Sequence, residues 1–353
     1  MLKATQIHKL LHWEYWPTAM FYIPNLPYAF YLAIKAKHPA FFSAANPSIK
    51  SSGNGTESKY QTLQLIPKKY RPKTVLIKAG ESLESLTKKL HKETIEFPLI
   101  AKPNIGFRGL LVQKIENIND LKSYVSNYHI DVLLQEYLDY KNECGIFYLK
   151  KPNEEKGTIT SITLKKFLTV VGNGKNTLKE LIVQNSRAKL YSKELFQNHS
   201  SQLDSILEMN QVMTLSVIGN HSKGTQFING NHLISEKLER TFDTLSNAIE
   251  GWYYGRIDIK YNSFTELENG DDFKILEING IIAEPTHIYD SQKSSYLNAL
   301  KEIRNHWKSL YEIANINHIH FNVPYKSSRI FMQEMRSLRT YTQKIKKLTN
   351  SAS

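Results

Sequence analysis

An α+β fold is predicted by three observations. Short apolar strands end in polar or charged residues, GRIDIKY around Asp258 and KILEING around Glu277 being the clearest pair. Stretches with helical spacing of apolar residues separate such strands, and turn residues punctuate the whole chain. At 353 residues with 41% hydrophobic side chains, the chain can bury a sizeable core and suits two or three subdomains. The strands are expected to form mixed sheets.

The first 64 residues are dense in Trp, Tyr and Phe, but Pro17, Pro24, Pro27 and Pro39 interrupt every apolar run. No stretch of about 20 apolar residues remains to cross a bilayer, and no basic start or small-residue cleavage site marks a secretory signal. The aromatics are expected to pack onto the body of the protein. A membrane interface or a second copy in a homodimer is the alternative use for such a surface. Ser51 to Ser58, with Gly53 and Gly55, reads as a loop leading to Lys59.

Residues 65–140 read as a small β-rich unit. The segment FPLIAKPNIGFRGLLVQKI gives a strand ending at Lys102, a Pro/Gly tip and a second strand. Gly106 and Gly109 allow backbone N–H groups to approach an anion, and Lys102 and Arg108 add positive charge. A strand from Val132 then opens into a polar connector, Gln135-Glu136-Tyr137-Leu138, before a further strand at Gly145. Helices are expected at 81–90 and 119–128, and in the larger unit of residues 141–320 at 178–207 and 233–249.

In GRIDIKY and KILEING, apolar alternation points Asp258, Glu277 and Asn279 toward one face of two neighbouring strands. Two carboxylates and an amide oxygen are a partial ligand set for Mg2+, which fills its remaining positions with water and phosphate oxygens. Between these units, FLTVVGNGKNTLKELI combines a tight Asn173-Gly174 turn with a capping box, Thr177 to Glu180. GNGKN lacks the spacing and the βαβ frame of a dinucleotide fingerprint.

Together these residues resemble the ATP-grasp superfamily of carboxylate–amine ligases, D-alanine–D-alanine ligases among them, over residues 58–290. The VVGNGKNT element is similar to one in cyanophycin synthetases and bifunctional glutathione synthetases, with Asn173 at the usual Asp. The resemblance implies an ATP-grasp fold, two α+β subdomains clasping ATP. It implies ATP lysines at Lys59 and Lys102, a phosphate-covering loop with Gly106, Arg108 and Gly109, and an adenine hinge at Gln135, Glu136, Tyr137 and Leu138. Glu143 falls at the ribose position, and Asp258, Glu277 and Asn279 fall at the magnesium ligands, where Mn2+ is the expected substitute. Arg256 and Lys102 are the implied catalytic cations. The implied reaction joins a carboxylate to an amine through an acylphosphate, on amino-acid or peptide substrates. The loop NGIIAEPTHIYD departs from the D-alanine ligase pattern and puts D-alanine in doubt, with His287 and the His221/Lys223 turn as candidate substrate contacts. A phosphotransferase, or a non-catalytic ATP-binding scaffold at a membrane, remains the alternative.

The formal net charge of +13 is spread along the chain rather than gathered in an aromatic-interleaved nucleic-acid module, so no nucleic-acid partner is expected. Its one cluster lies in residues 321–353, where basic residues alternate with apolar ones as in an amphipathic helix able to touch a membrane peripherally. The single cysteine, Cys144, excludes an intrachain disulfide and fits a reducing cytoplasm. With no partner base nearby in sequence, it reads as a packed thiol.

Overall fold

The computed structural model describes residues 4–106, 109–217 and 219–351. The N-terminal segment is helical: α1 Ala4–Leu11, α2 Ala19–Tyr22 and α3 Leu26–Lys35, then α4 Lys59–Gln64. Prolines 17, 24 and 27 sit at or just before helix starts, where a missing N–H costs nothing. Phe21 is fully buried against Tyr289 and Tyr296, so the aromatics pack onto the body.

The next unit contains β1 Thr74–Ile77, α5 Leu83–Lys92, β2 Leu99–Pro103, β3 Gln113–Ile115, α6 Ile118–Asn127 and β4 Val132–Glu136. Its four strands run in the order β1-β4-β2-β3. One face is covered by α5 and α6, whose Leu86, Leu90, Leu121 and Tyr124 pack on Val75, Leu99, Ala101 and Leu134.

The larger unit carries β5 Asn142–Leu149, β6 Thr158–Lys166, β7 Thr169–Val171, α7 Leu178–Gln184, α8 Ser192–Asn198, β8 Val212–Thr214 and β9 Gln226–Asn229. It continues with α9 Glu236–Asn247, β10 Tyr254–Tyr261, α10 Phe264–Asn269, β11 Phe273–Asn279 and α11 Tyr296–His320. The five-stranded sheet has the order β11-β10-β5-β6-β9, and β7 pairs with β8 separately. The amphipathic α9 buries Leu238, Phe242 and Leu245 under this sheet, alongside Trp252. Leu63 and Ile66, around the end of α4, belong to the same core.

Every strand pairing among the described residues is antiparallel, in place of the mixed sheets expected. The helices expected at 81–90, 119–128 and 233–249 start where Ser82, Asn117 and Ser235 cap α5, α6 and α9. The single helix expected over 178–207 is instead α7 and α8. Asn185 breaks it, because its side-chain oxygen accepts from the N–H groups of Arg187 and Ala188 and turns the chain. The capping box Thr177–Glu180 opens α7, and Asn173 accepts from the N–H groups of Lys175 and Asn176 in the preceding turn.

The final helix, α12 Ser328–Ser351, packs on the small sheet's core through Tyr341, Ile345 and Leu348. At its start Glu334 accepts from Lys326 at 2.6 Å and from Ser51 at 2.8 Å. The basic residues of this helix are largely exposed. No helix among the described residues is long and apolar enough to cross a membrane.

Candidate active site

Asp258 and Glu277 are direct cross-strand partners on β10 and β11, and Arg256 stands opposite Asn279. Alternation along each strand therefore turns Arg256, Asp258, Glu277 and Asn279 to one side. That side forms part of the wall of a cavity of about 1630 Å³ between the two larger sheets and the N-terminal helices. The first helical turn of α4 brings Lys59 to the same wall. Ser58 caps that turn, and its hydroxyl also donates to Asn104 at 2.8 Å, tying α4 to the end of β2.

The charges interlock. Arg256 donates to Asp258 through Nε at 3.2 Å and Nη2 at 3.1 Å, while Asn279 Nδ2 donates to the same carboxylate at 3.0 Å. Lys59 pairs with Glu277. Burial by itself would raise the Asp258 carboxyl, but Arg256 and Lys165 hold it well below the usual carboxylate range. Lys102, on β2, donates to the side-chain oxygen of Gln135 at 3.1 Å and to the Leu276 carbonyl at 3.3 Å. Its ammonium is buried, which pulls its pKa down to about 8 despite the Glu277 charge.

Lys165 was not singled out by sequence reasoning. It lies on β6, donates to Glu143 at 2.6 Å and to Asp258 at 3.0 Å, and lines the cavity with 6% of its side chain exposed. The only available signal was alternation along TSITLKK, which puts Lys165 on the same face as Thr163, and the antiparallel pairing with β5 that sets it opposite Glu143.

Other expected residues are placed as follows. Glu143 is the second residue of β5, and its carboxylate is held by Lys165. Gln135 belongs to the sheet: its residue pairs with Thr74 and Ile100, and its side chain holds Lys102 and donates to Thr74. It also lines the cavity beside Glu136, Tyr137 and Leu138. Glu136 closes β4, with its carboxylate accepting from the Lys73 N–H. Tyr137 and Leu138 follow the strand and line the cavity, the Leu138 carbonyl accepting from Lys260 at 3.0 Å. Gly106 and Gly109 line it from the β2–β3 hairpin, Gly109 with a φ of 70°. Arg108 lies outside the described residues.

His221 and Lys223 also line the cavity, where Lys223 pairs with Glu194 and His221 faces Glu14 across 3.8 Å. His287 is a candidate substrate contact from its place in the loop after Asn279. It is 5% exposed, absent from the cavity wall, and held neutral by burial with a pKa of about 4. Cys144 is fully buried and its thiol is pushed up by desolvation, which removes it as a nucleophile.

Asp258, Glu277 and Asn279 offer only hard oxygen donors, which fit Mg2+ better than a softer metal. Among the described residues no cluster of three His, Cys, Asp or Glu side chains forms a closed metal cage. A partial set of this kind leaves coordination positions for phosphate oxygens.

The sequence of residues 56–190 matches the family model of the RimK-like ATP-grasp domain. No curated protein matches the chain. Among solved structures, the VanG D-Ala:D-Ser ligase of Enterococcus faecalis is similar at 12% identity and a TM-score of 0.43, over 74% of this chain and 64% of that one. A bifunctional glutathione synthetase of Pasteurella multocida is similar at 17% identity and a TM-score of 0.37, over 69% and 36%. A D-alanine–D-alanine ligase of Bacillus anthracis is similar at 13% identity and a TM-score of 0.41, over 75% and 71%. The chain thus spans less than two thirds of the first two structures. Residues 56–190, somewhat over a third of the chain, thus carry a RimK-like ATP-grasp domain.

Proposed function

We propose that this protein is an ATP- and Mg2+-dependent ligase that joins a carboxylate to an amine. The observation that carries the reading is the meeting of four cations, Lys59, Lys102, Lys165 and Arg256, with Asp258, Glu277 and Asn279 on one cavity wall. Such a charge set suits the transfer of a phosphoryl group to an anionic acceptor. A carboxylate oxygen attacks the γ-phosphorus, the bond to the β,γ-bridging oxygen breaks, and ADP leaves. The amine nitrogen then attacks the acyl carbon, the C–N bond forms, phosphate departs with the C–O pair, and the nitrogen's proton passes to solvent.

Lys59, Lys102 and Arg256 would spread the charge of the transferring phosphoryl group, as fixed cations in a dry site do. Asp258, Glu277 and Asn279 would hold the metal, which when bound would supply positive charge against the phosphates. Arg256 and Lys165 orient Asp258 from either side, and Gln135 positions Lys102. Tyr137 and Leu138 would offer backbone groups to the adenine edge, Glu143 would take the ribose hydroxyls, and the hairpin tip bearing Gly106 and Gly109 would cover the phosphates. The two sheet-bearing units would close on the nucleotide as lid and base. Amino acids or short peptides are the proposed substrates, in a reducing cytoplasm.

Incubating the pure protein with ATP, Mg2+ and pools of amino acids and small amines, while measuring ADP, tests the reading. ADP release that needs both a carboxylate and an amine supports it. Formation of AMP, or of a stable phosphorylated product without an amine, would overturn it.

A further inference from the structure

The cavity continues beyond the phosphate end of the cleft. Past Arg256 it runs between the loop after Asn279 and the N-terminal helices, where Leu26, Phe30, Phe41, Ile281, Trp307 and Leu310 line it. Its volume of about 1630 Å³ exceeds the roughly 300–1,000 Å³ of an ordinary small-molecule pocket, so space remains beside a nucleotide. Leu26 and Phe30 are 43% and 66% exposed, apolar surface that a bound apolar group would take out of water.

The same loop supplies a charged group beside this groove. Ile281 and Ala283 pack on the Phe41–Leu310 cluster, and Glu284 follows. Its carboxylate accepts from the Tyr22 hydroxyl at 2.8 Å and the Tyr289 hydroxyl at 3.2 Å. Two neutral hydroxyls orient it, and the Arg256 guanidinium acts on it through charge without an ion pair within 4 Å among the described residues. The backbone oxygen of Glu284 accepts from Arg256 Nη1 at 3.1 Å, which fixes the residue next to the proposed phosphoryl-transfer end. Tyr22 in turn lies 5.9 Å from the Trp307 ring, so head and groove share a wall.

We infer that the amine substrate is amphipathic, with an ammonium group on Glu284 and an apolar body in the groove between α3 and α11. The inference rests on the ligase reading above and deepens it by naming a substrate class. Charge complementarity at Glu284 and continuity with the cleft favour this occupant over a second protein copy or a lipid surface.

Titrating the full chain with n-butylamine, n-hexylamine and n-octylamine without ATP, and following the fluorescence of Trp16 and Trp307 in the cavity wall, tests it. The expected result is saturable binding that tightens about fourfold per added methylene. Glu284→Gln should weaken every amine about tenfold or more. Ala29→Trp, which fills the groove from α3, should remove the chain-length dependence while circular dichroism shows the fold retained. Equal binding of all three amines, equal binding of uncharged n-octanol, or a Glu284→Gln variant that binds like wild type would overturn the inference. So would binding seen only with anionic vesicles. A trinitrophenyl-ATP titration separates the two levels: nucleotide binding without amine binding sinks this inference alone, and loss of nucleotide binding sinks the ligase reading.

Discussion

At Lys165 three side chains share a space closed to solvent, its ammonium between the carboxylates of Glu143 and Asp258. Replacing it with Met would leave the buried Glu143 carboxylate without its cation and Asp258 with Arg256 alone. Lys165→Met should therefore cost about 3–5 kcal/mol in a urea denaturation series, well beyond an exposed lysine change. At Glu277 the expected effect is on turnover instead. Glu277→Gln keeps the shape of the side chain and should leave stability nearly unchanged, yet lower Mg2+-dependent ATP turnover by about a hundredfold or more. Normal turnover in that variant would remove Glu277 from the metal site. For Lys102 the sign of the pH effect follows from burial. Its pKa is lowered to about 8, so the ammonium that would meet the phosphates is lost as pH rises through that value. In a pH profile, kcat/KM for ATP should fall above about pH 8, the free-enzyme titration. A profile flat to pH 10 would exclude Lys102 as an essential cation.

Among elements, the loop from Ser51 to Thr56 is fitted against the turn after β11. A Cβ on Gly53, whose φ is 81°, would stand 2.7 Å from the Gly280 Cα. Gly53→Ala should cost about 1–3 kcal/mol in strain and displace the loop carrying Asn279 and Glu284, lowering turnover more than stability. At the C-terminus, α12 closes the small sheet's core through Ile345, which is 2% exposed. Ile345→Ala should destabilise by about 2–5 kcal/mol, with hydrogen exchange accelerating first in β1–β4. Much of this level was readable in the sequence: the Thr177–Glu180 capping box and the hairpin around Lys102 are local signals, and alternation placed Asp258, Glu277 and Asn279 on one face. Lys165, and the contact of Glu284 with Tyr22, were not readable, since the partners Glu143, Asp258 and Tyr22 lie on elements more than 20 residues away. His287 misled because a polar loop sequence does not reveal that α11 covers it: His306 of that helix is itself buried, with Phe147 against it.

For the whole molecule, the chain closes three bodies of structure around one cavity: the small sheet with α12, the five-stranded sheet, and the aromatic N-terminal helices. ATP with Mg2+ should tie the first two together, because Lys102 of the small sheet reaches the Leu276 carbonyl on the Glu277 strand. The most direct test of the proposed reaction follows oxygen. Amino-acid and peptide pools labelled with oxygen-18 in the carboxylate, incubated with ATP, Mg2+ and an amine, should yield inorganic phosphate carrying one label in its phosphorus NMR shift. Label appearing in AMP, or unlabelled phosphate beside an amide product, would contradict an acylphosphate formed in this cleft.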